Sequence, residues 1–255
     1  MPHKVLLYEN QNKTLLANGV IEENKPVGFS HDNKSIRPYS NIFFWSRTWT
    51  DVGGEIKEHP HKGFEILTYV IKGTIEHYNP IKKEWVKITS GDVEILKSGG
   101  GINQAVKIAK NSEVMQIWFD PDIKKSLAKV FDWKVYDSND FHQIELPGKT
   151  IKVIVDEDSK TQLDSEGVKV SDYKLSPGNF TFRFSEEKFY SIYIIKGEIE
   201  LDGKFITENS YIIIKDEAKF EMFVSLHTRL IMVESPVKPS YKTYLQLKSD
   251  ANSNK

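Results

Sequence analysis

Tyr69-Val-Ile-Lys-Gly-Thr-Ile-Glu-His77 returns 124 residues later as Tyr193-Ile-Ile-Lys-Gly-Glu-Ile-Glu-Leu201. Each copy is an apolar run, a Lys-Gly turn and a second short run, the pattern of two strands joined by a tight turn. At the same offset Gly54 matches Gly178. Val93-Glu-Ile-Leu-Lys97 then matches Tyr211-Ile-Ile-Ile-Lys215 at a shorter offset, so the second copy has the tighter intervening hairpin. Nine aligned positions with matched flanks favour duplication of a β domain over a chance likeness of two hairpins. Only two copies are visible, so this is a duplicated pair and not a solenoid.

Working outward, short apolar runs fill the rest of the chain: Ile66–Ile71, Val114–Phe119, Ile151–Val155, Ser191–Ile195, Tyr211–Ile214 and Leu230–Val233. They are rich in Val, Ile, Phe and Tyr, and turn residues separate them, so the fold class is all-β. Phe180, Phe182 and Phe184 alternate as a core stripe. One helix is expected, over Asp122–Val130, with Pro121 near its start. The division between the two β domains falls within Asp132–Lys149, which gives domains over 1–135 and 136–240 and a tail over 241–255. The polar end from Ser249 to Lys255 is expected to fray.

Bulk properties bound the function. A chain of 255 residues with 39% hydrophobic and 12% aromatic residues can bury real cores. The net charge of −1 offers no electrostatic support for a nucleic-acid role. The absence of cysteine excludes disulfides, thiolate metal sites and cysteine nucleophiles. The segment after Met1 lacks the apolar core of a signal peptide, and no apolar run is long enough to span a bilayer, so the expected location is the cytoplasm with no membrane partner.

The chemistry concentrates in Glu58-His-Pro-His-Lys-Gly-Phe-Glu65. Alternate residues of a strand share a face, so His59 and His61 can present two imidazoles to one point. Neutral imidazole suits Fe, Ni, Cu and Zn. If parity continues through Gly63, Glu65 adds a carboxylate, either as a ligand and catalytic group or as a support for a ligand histidine. A histidine pair alone is a common accident; here it follows Gly53-Gly54 and precedes a strong strand and the Lys-Gly turn.

That context resembles the first cupin motif as pirins carry it, His-Pro-His-(Arg/Lys)-Gly-Phe-Glu followed by a strand, a Gly turn and Glu-His, here Glu76-His77. Ser90-Gly-Asp-Val-Glu-Ile-Leu-Lys-Ser-Gly-Gly-Gly-Ile102 is similar to the second pirin motif, Arg37-Pro-Tyr-Ser-Asn41 to the barrel entry, and Met115-Gln-Ile-Trp118 to the strand that follows. The resemblance covers most of residues 20–235, is more specific in the first half, and has no clear counterpart of the family's C-terminal helical segment after Pro239. It implies two cupin (jelly-roll) β-barrels in one chain and a single metal, typically iron, in the first. The implied ligands are His59 and His61 plus a histidine and a glutamate from the second motif. At those last two positions this chain has Gln104 and Val106. Valine cannot ligate, and glutamine offers only a neutral oxygen. Glu94 and Glu113 are the remaining acidic candidates if strand parity lets them reach the site. In the second domain His59, His61 and Glu65 become Arg183, Ser185 and Phe189, so that barrel reads as structural.

Other candidates weigh less. His77 is expected to support the site or to be structural; His3, His31, His142 and His227 carry no ligand pattern. Gly99-Gly-Gly101 lacks the residues of a phosphate loop and suits a tight turn. No nucleophile elbow is present. Two functions follow from the resemblance. One is a binding or regulatory protein for a small aromatic molecule or a protein partner, with a degenerate metal site. The other is an iron-dependent dioxygenase of the quercetin 2,3-dioxygenase type, with Glu65 or Gln104 completing the shell around His59 and His61.

Overall fold

A computed structural model describes residues 3–253. The six apolar runs and the repeated Val93–Lys97 segment all become strands: Glu65–Lys72, Val93–Lys97, Ser112–Phe119, Lys149–Val155, Lys188–Lys196, Tyr211–Ile214 and Thr228–Pro236. The chain forms two compact units. One holds residues 12–140 and the chain from 240 onward; the other holds 141–239 and the chain up to residue 11.

Each unit closes a seven-stranded sheet against a four-stranded one. In the N-terminal unit the larger sheet runs, edge to edge, Asp132–Tyr136, Val93–Lys97, Glu65–Lys72, Ser112–Phe119, Ile42–Thr50, Ile21–Val27, Asn12–Leu16. The smaller runs Gly54–His61, Ile102–Ile108, Thr74–Asn79, Glu84–Thr89. In the C-terminal unit the larger sheet runs His3–Leu6, Tyr211–Ile214, Lys188–Lys196, Thr228–Pro236, Lys169–Leu175, Lys149–Val155, Gln143–Leu146. The smaller runs Gly178–Arg183, Lys219–Val224, Glu198–Leu201, Lys204–Thr207. Position by position the two orders correspond, which is the duplication read from the repeat. The cores sit between the paired sheets. In the C-terminal unit Ile192, Ile212 and Leu230 of one sheet meet Ile199, Phe220 and Val224 of the other. Phe182 is buried there, with Phe180 and Phe184 packed against it.

The repeat turn is held the same way twice. Gly73 and Gly197 both have positive φ, at 77° and 95°. The amide of the next residue bonds to a hydroxyl on the neighbouring strand: Thr74 N to Ser112 Oγ at 2.9 Å, Glu198 N to Thr228 Oγ1 at 3.0 Å. The shorter second hairpin is also explained. Asp202 and Gly203 both take positive φ, as a two-residue turn requires, whereas the first copy spends four residues, 80–83, on the same connection.

Three expectations change. The first helix is only Ile123–Leu127, beginning after Asp122 and ending at Ala128. The chain ends are exchanged relative to a single cut after residue 135: the first strand, His3–Leu6, pairs with Tyr211–Ile214, and the last segment joins the N-terminal unit. That segment contains a helix, Tyr244–Ser253, where the sequence showed no helical counterpart and a frayed end; residues 254–255 lie outside the described part. The helix buries no residue, so no apolar periodicity announces it. It is fixed at its start instead. Gln246 Oε1 accepts the Thr243 amide at 2.9 Å, one half of a capping box. Asp120 Oδ2 accepts the Tyr244 amide at 2.6 Å, and Asp120 O accepts the Tyr241 hydroxyl at 2.8 Å. The Tyr244 ring stands edge-on to Phe43 and Phe64. No helix among the described residues is long and apolar enough to cross a membrane.

Candidate functional site

The strand Gly54–His61 carries the histidine pair and lies beside Ile102–Ile108, which places Gln104 directly opposite His59 and Ile102 opposite His61. A bulge between Gln104 and Val106 then brings Val106 opposite Ile56 on one side and His77 on the other. The His59 and His61 ring centroids are 4.7 Å apart, as same-face alternation demands. His59 is partly exposed and its Nδ1 lies 2.8 Å from the Lys57 carbonyl. His61 is buried, packed edge-on against Trp118 at 5.0 Å, and its Nδ1 has no hydrogen-bond partner.

Behind them sits a buried polar cluster that spacing alone did not assemble. Glu94 is fully buried. It receives the His77 imidazole at 2.5 Å, the Gln104 amide nitrogen at 3.1 Å and the Trp133 indole N–H. The Gln104 amide nitrogen is also 3.0 Å from His77 Nδ1. The three donors converge on Oε1, which is how a buried charge is tolerated, while Oε2 is buried without a hydrogen-bond partner. Gln104 is therefore committed through its N–H side to Glu94. His77, expected as a support, lines the cavity beside His59 and Gln104. The signal for it was present in the alternation Ile75, His77, Asn79, all buried.

The cavity over this cluster measures about 250 Å³, near the lower end of ligand pockets at roughly 300 Å³. Its walls are mainly apolar, with Phe29, Phe44, Trp118 and Val106 prominent. Phe29 stacks on Phe44 with ring centroids 5.0 Å apart. Lys25, held by Asp32 at 2.6 Å, and Glu23 add a charged side; burial raises the Glu23 pKa. His31, exposed, stands at the cavity edge against Phe29.

Glu65 does not join. The strand ends at His61, the chain turns through Gly63 at φ 84°, and Glu65 starts a new strand in the other sheet, opposite Lys97 and Phe119. Its carboxylate lies 3.6 Å from Lys97 Nζ. The parity argument fails at that turn. Glu113 is likewise elsewhere, paired with Arg47 at 2.5 Å. Among the described residues no three His, Asp, Glu or Cys side chains are grouped so as to hold a metal ion. A four-ligand centre does not fit: of its four positions, one is a committed amide and one is a valine buried in the core.

Burial, and then the neighbouring His59 and His77, push the His61 pKa down to about 3 from its ordinary 6.5. His61 is thus neutral in the folded chain, while in the unfolded chain it gains a proton below 6.5. The stability that it contributes is fully present above pH 6.5 and is lost as pH falls from there toward 3. Denaturant midpoints at pH 7.5 and 5.0 should therefore differ less in His61→Asn than in the wild type, and equal differences would contradict this.

Known proteins resemble the chain in this same region. The Pirin family profile matches residues 22–119. Quercetin 2,3-dioxygenase of Escherichia coli K12 is 23% identical over 190 residues, covering 73% of this chain and 78% of that protein. Pirin-1 of Arabidopsis thaliana is 30% identical over 166 residues, covering 60% of this chain and 53% of that protein. Among solved structures, the bacterial pirin YhhW of Escherichia coli in complex with nickel(II) superposes with a TM-score of 0.74 at 17% identity, over 92% of this chain and 99% of that one.

Proposed function

We propose that this chain is a pirin-like cupin protein whose N-terminal barrel binds a small aromatic molecule beside a degenerate metal centre. The carrying observation is the pair Gln104 and Val106 on the cavity wall, at the positions where the family resemblance puts a histidine and a glutamate. Valine extends the apolar wall, and the glutamine amide is tied to Glu94. What remains at the ligand positions is His59 and His61, a pair that holds a metal weakly and exchangeably. The aromatic lining of Phe29, Phe44 and Trp118 suits a flat ring that stacks on one face and meets polar groups at its edge.

A second reading, an iron-dependent dioxygenase of the type named for the relatives, rests on one observation. Nδ1 of both His59 and His77 is held by an acceptor, as in metal-ligating histidines. One experiment separates the two. Protein purified without a histidine tag is analysed by mass spectrometry for bound metal, as wild type and as His59→Ala. The binding reading expects well under one equivalent in both, with flavonol binding unaffected by chelator. Stoichiometric metal that disappears in His59→Ala, together with oxygen uptake on a flavonol, would overturn it in favour of the dioxygenase.

A further inference from the structure

We propose that the C-terminal barrel, which lacks the histidine pair, binds a small multivalent anion in a cleft of its seven-stranded sheet. The cleft measures about 480 Å³ and is lined by Lys149, Lys174, Lys196, His227 and Arg229, with Glu145 as its one acidic residue. The pairing register shows how the charges meet. Lys174 lies directly opposite Arg229, and Arg229 directly opposite Lys196, so three cations stand in one row across three adjacent strands. Like charges directly opposite one another destabilise a sheet. Asp172 offsets only the middle one: it holds Arg229 through contacts of 2.7, 3.1 and 3.2 Å. Lys174 and Lys196 are exposed and have no carboxylate partner among the described residues. Glu145 accepts the Thr150 hydroxyl at 2.7 Å.

The duplication supplies an internal control. The equivalent row of the N-terminal barrel is Trp49, Glu113, Lys72, with the same bulge beside the lysine. There the central residue is the acidic Glu113, which stands opposite Lys72 and pairs with Arg47 at 2.5 Å, so no two cations are adjacent in the row. The fold therefore does not require cations at this place. Nor does overall composition explain them, since the chain carries a net charge of −1. Repulsion held in register and relieved by Asp172 at the central cation alone is the expected state of a site whose further counter-charge arrives with a ligand. The ligand chemistry is two or more anionic oxygen groups close together, as in a di- or triphosphate or a polycarboxylate, with the row of ammonium groups and the guanidinium spanning them.

The test is calorimetric titration of the full chain at fixed ionic strength, with inorganic triphosphate and separately with citrate, for wild type and Lys174→Ala/Lys196→Ala. The expected result is saturable one-site binding of at least one probe, weakened at least tenfold in the double variant and reduced by added salt. The preferred probe tells phosphate from carboxylate chemistry. Without ligand the double variant should unfold at the wild-type temperature or above it, because repulsion is relieved, so lost binding does not reflect lost folding. No saturable binding of either probe, or equal binding by the double variant, would overturn the proposal.

Discussion

Gln104→His combined with Val106→Glu is expected to turn a weak histidine pair into a tight metal centre. The two side chains flank the bulge in Ile102–Ile108, with Gln104 opposite His59. The new imidazole and carboxylate would add to the existing pair on one wall. Even outer partners of a metal ligand change affinity 10–100-fold, so two added ligands should raise nickel(II) or iron(II) affinity by at least about 100-fold. The metal-free variant should in turn be less stable by about 2–4 kcal/mol, because Val106 belongs to the packed core and a carboxyl in its place is desolvated. Metal would restore that loss by binding only the folded state. Metal titration followed by thermal unfolding reads both effects. If the double variant binds metal no better than the wild type, the family alignment through this strand is wrong, and the reasoning from Gln104 and Val106 falls with it.

Gly73→Ala and Gly197→Ala are expected to destabilise their respective barrels by about 2–4 kcal/mol each. Both glycines have positive φ, and an added methyl at either has nowhere to go. At Gly73 it would collide with Ser112 Oγ and lie 2.9 Å from the Ser112 backbone. At Gly197 it would meet the His227 carbonyl at 2.6 Å and Thr228 Oγ1 at 2.5 Å. The same hydroxyls accept the amide that follows the glycine, so relief of the clash also disturbs that hydrogen bond. By contrast Ser112→Ala, which removes the bond and leaves the glycine, should cost only about 1 kcal/mol. Urea unfolding of the three variants checks the ordering. A loss below 1 kcal/mol for both alanines would show that the turn is not the rigid corner described.

Much of this molecule was legible because the duplication wrote each structural element twice. Alternation and apolar runs placed the strands, and the repeat put Tyr69–His77 and Tyr193–Leu201 in equivalent places of two similar sheets. His59 and His61 stand side by side as alternation within one strand demands, and Gln104 lies opposite His59. Glu65 was not, because period-2 reasoning holds only within a strand, and the turn at Gly63 sends the chain into the other sheet. The Glu94 cluster escaped because its members come from four separate strands, and sequence separation carries no signal for such convergence. The aromatic wall built from Phe29, Phe44 and Trp118 was hidden for the same reason. The last helix was hidden by chemistry: its anchor is a capping pattern plus a remote aspartate, not an apolar face.

The exchanged chain ends also set a timetable for synthesis. His3–Leu6 leaves the ribosome some two hundred residues before its partner Tyr211–Ile214. The N-terminal unit can close its sheets once residue 140 has emerged, but Asp120 waits for Tyr244 to dock the final segment. Until Tyr211–Ile214 emerges this strand lacks its partner, and unpaired strands of nascent chains are prone to aggregate. Its high share of pairings between distant residues also predicts slow folding of the C-terminal unit.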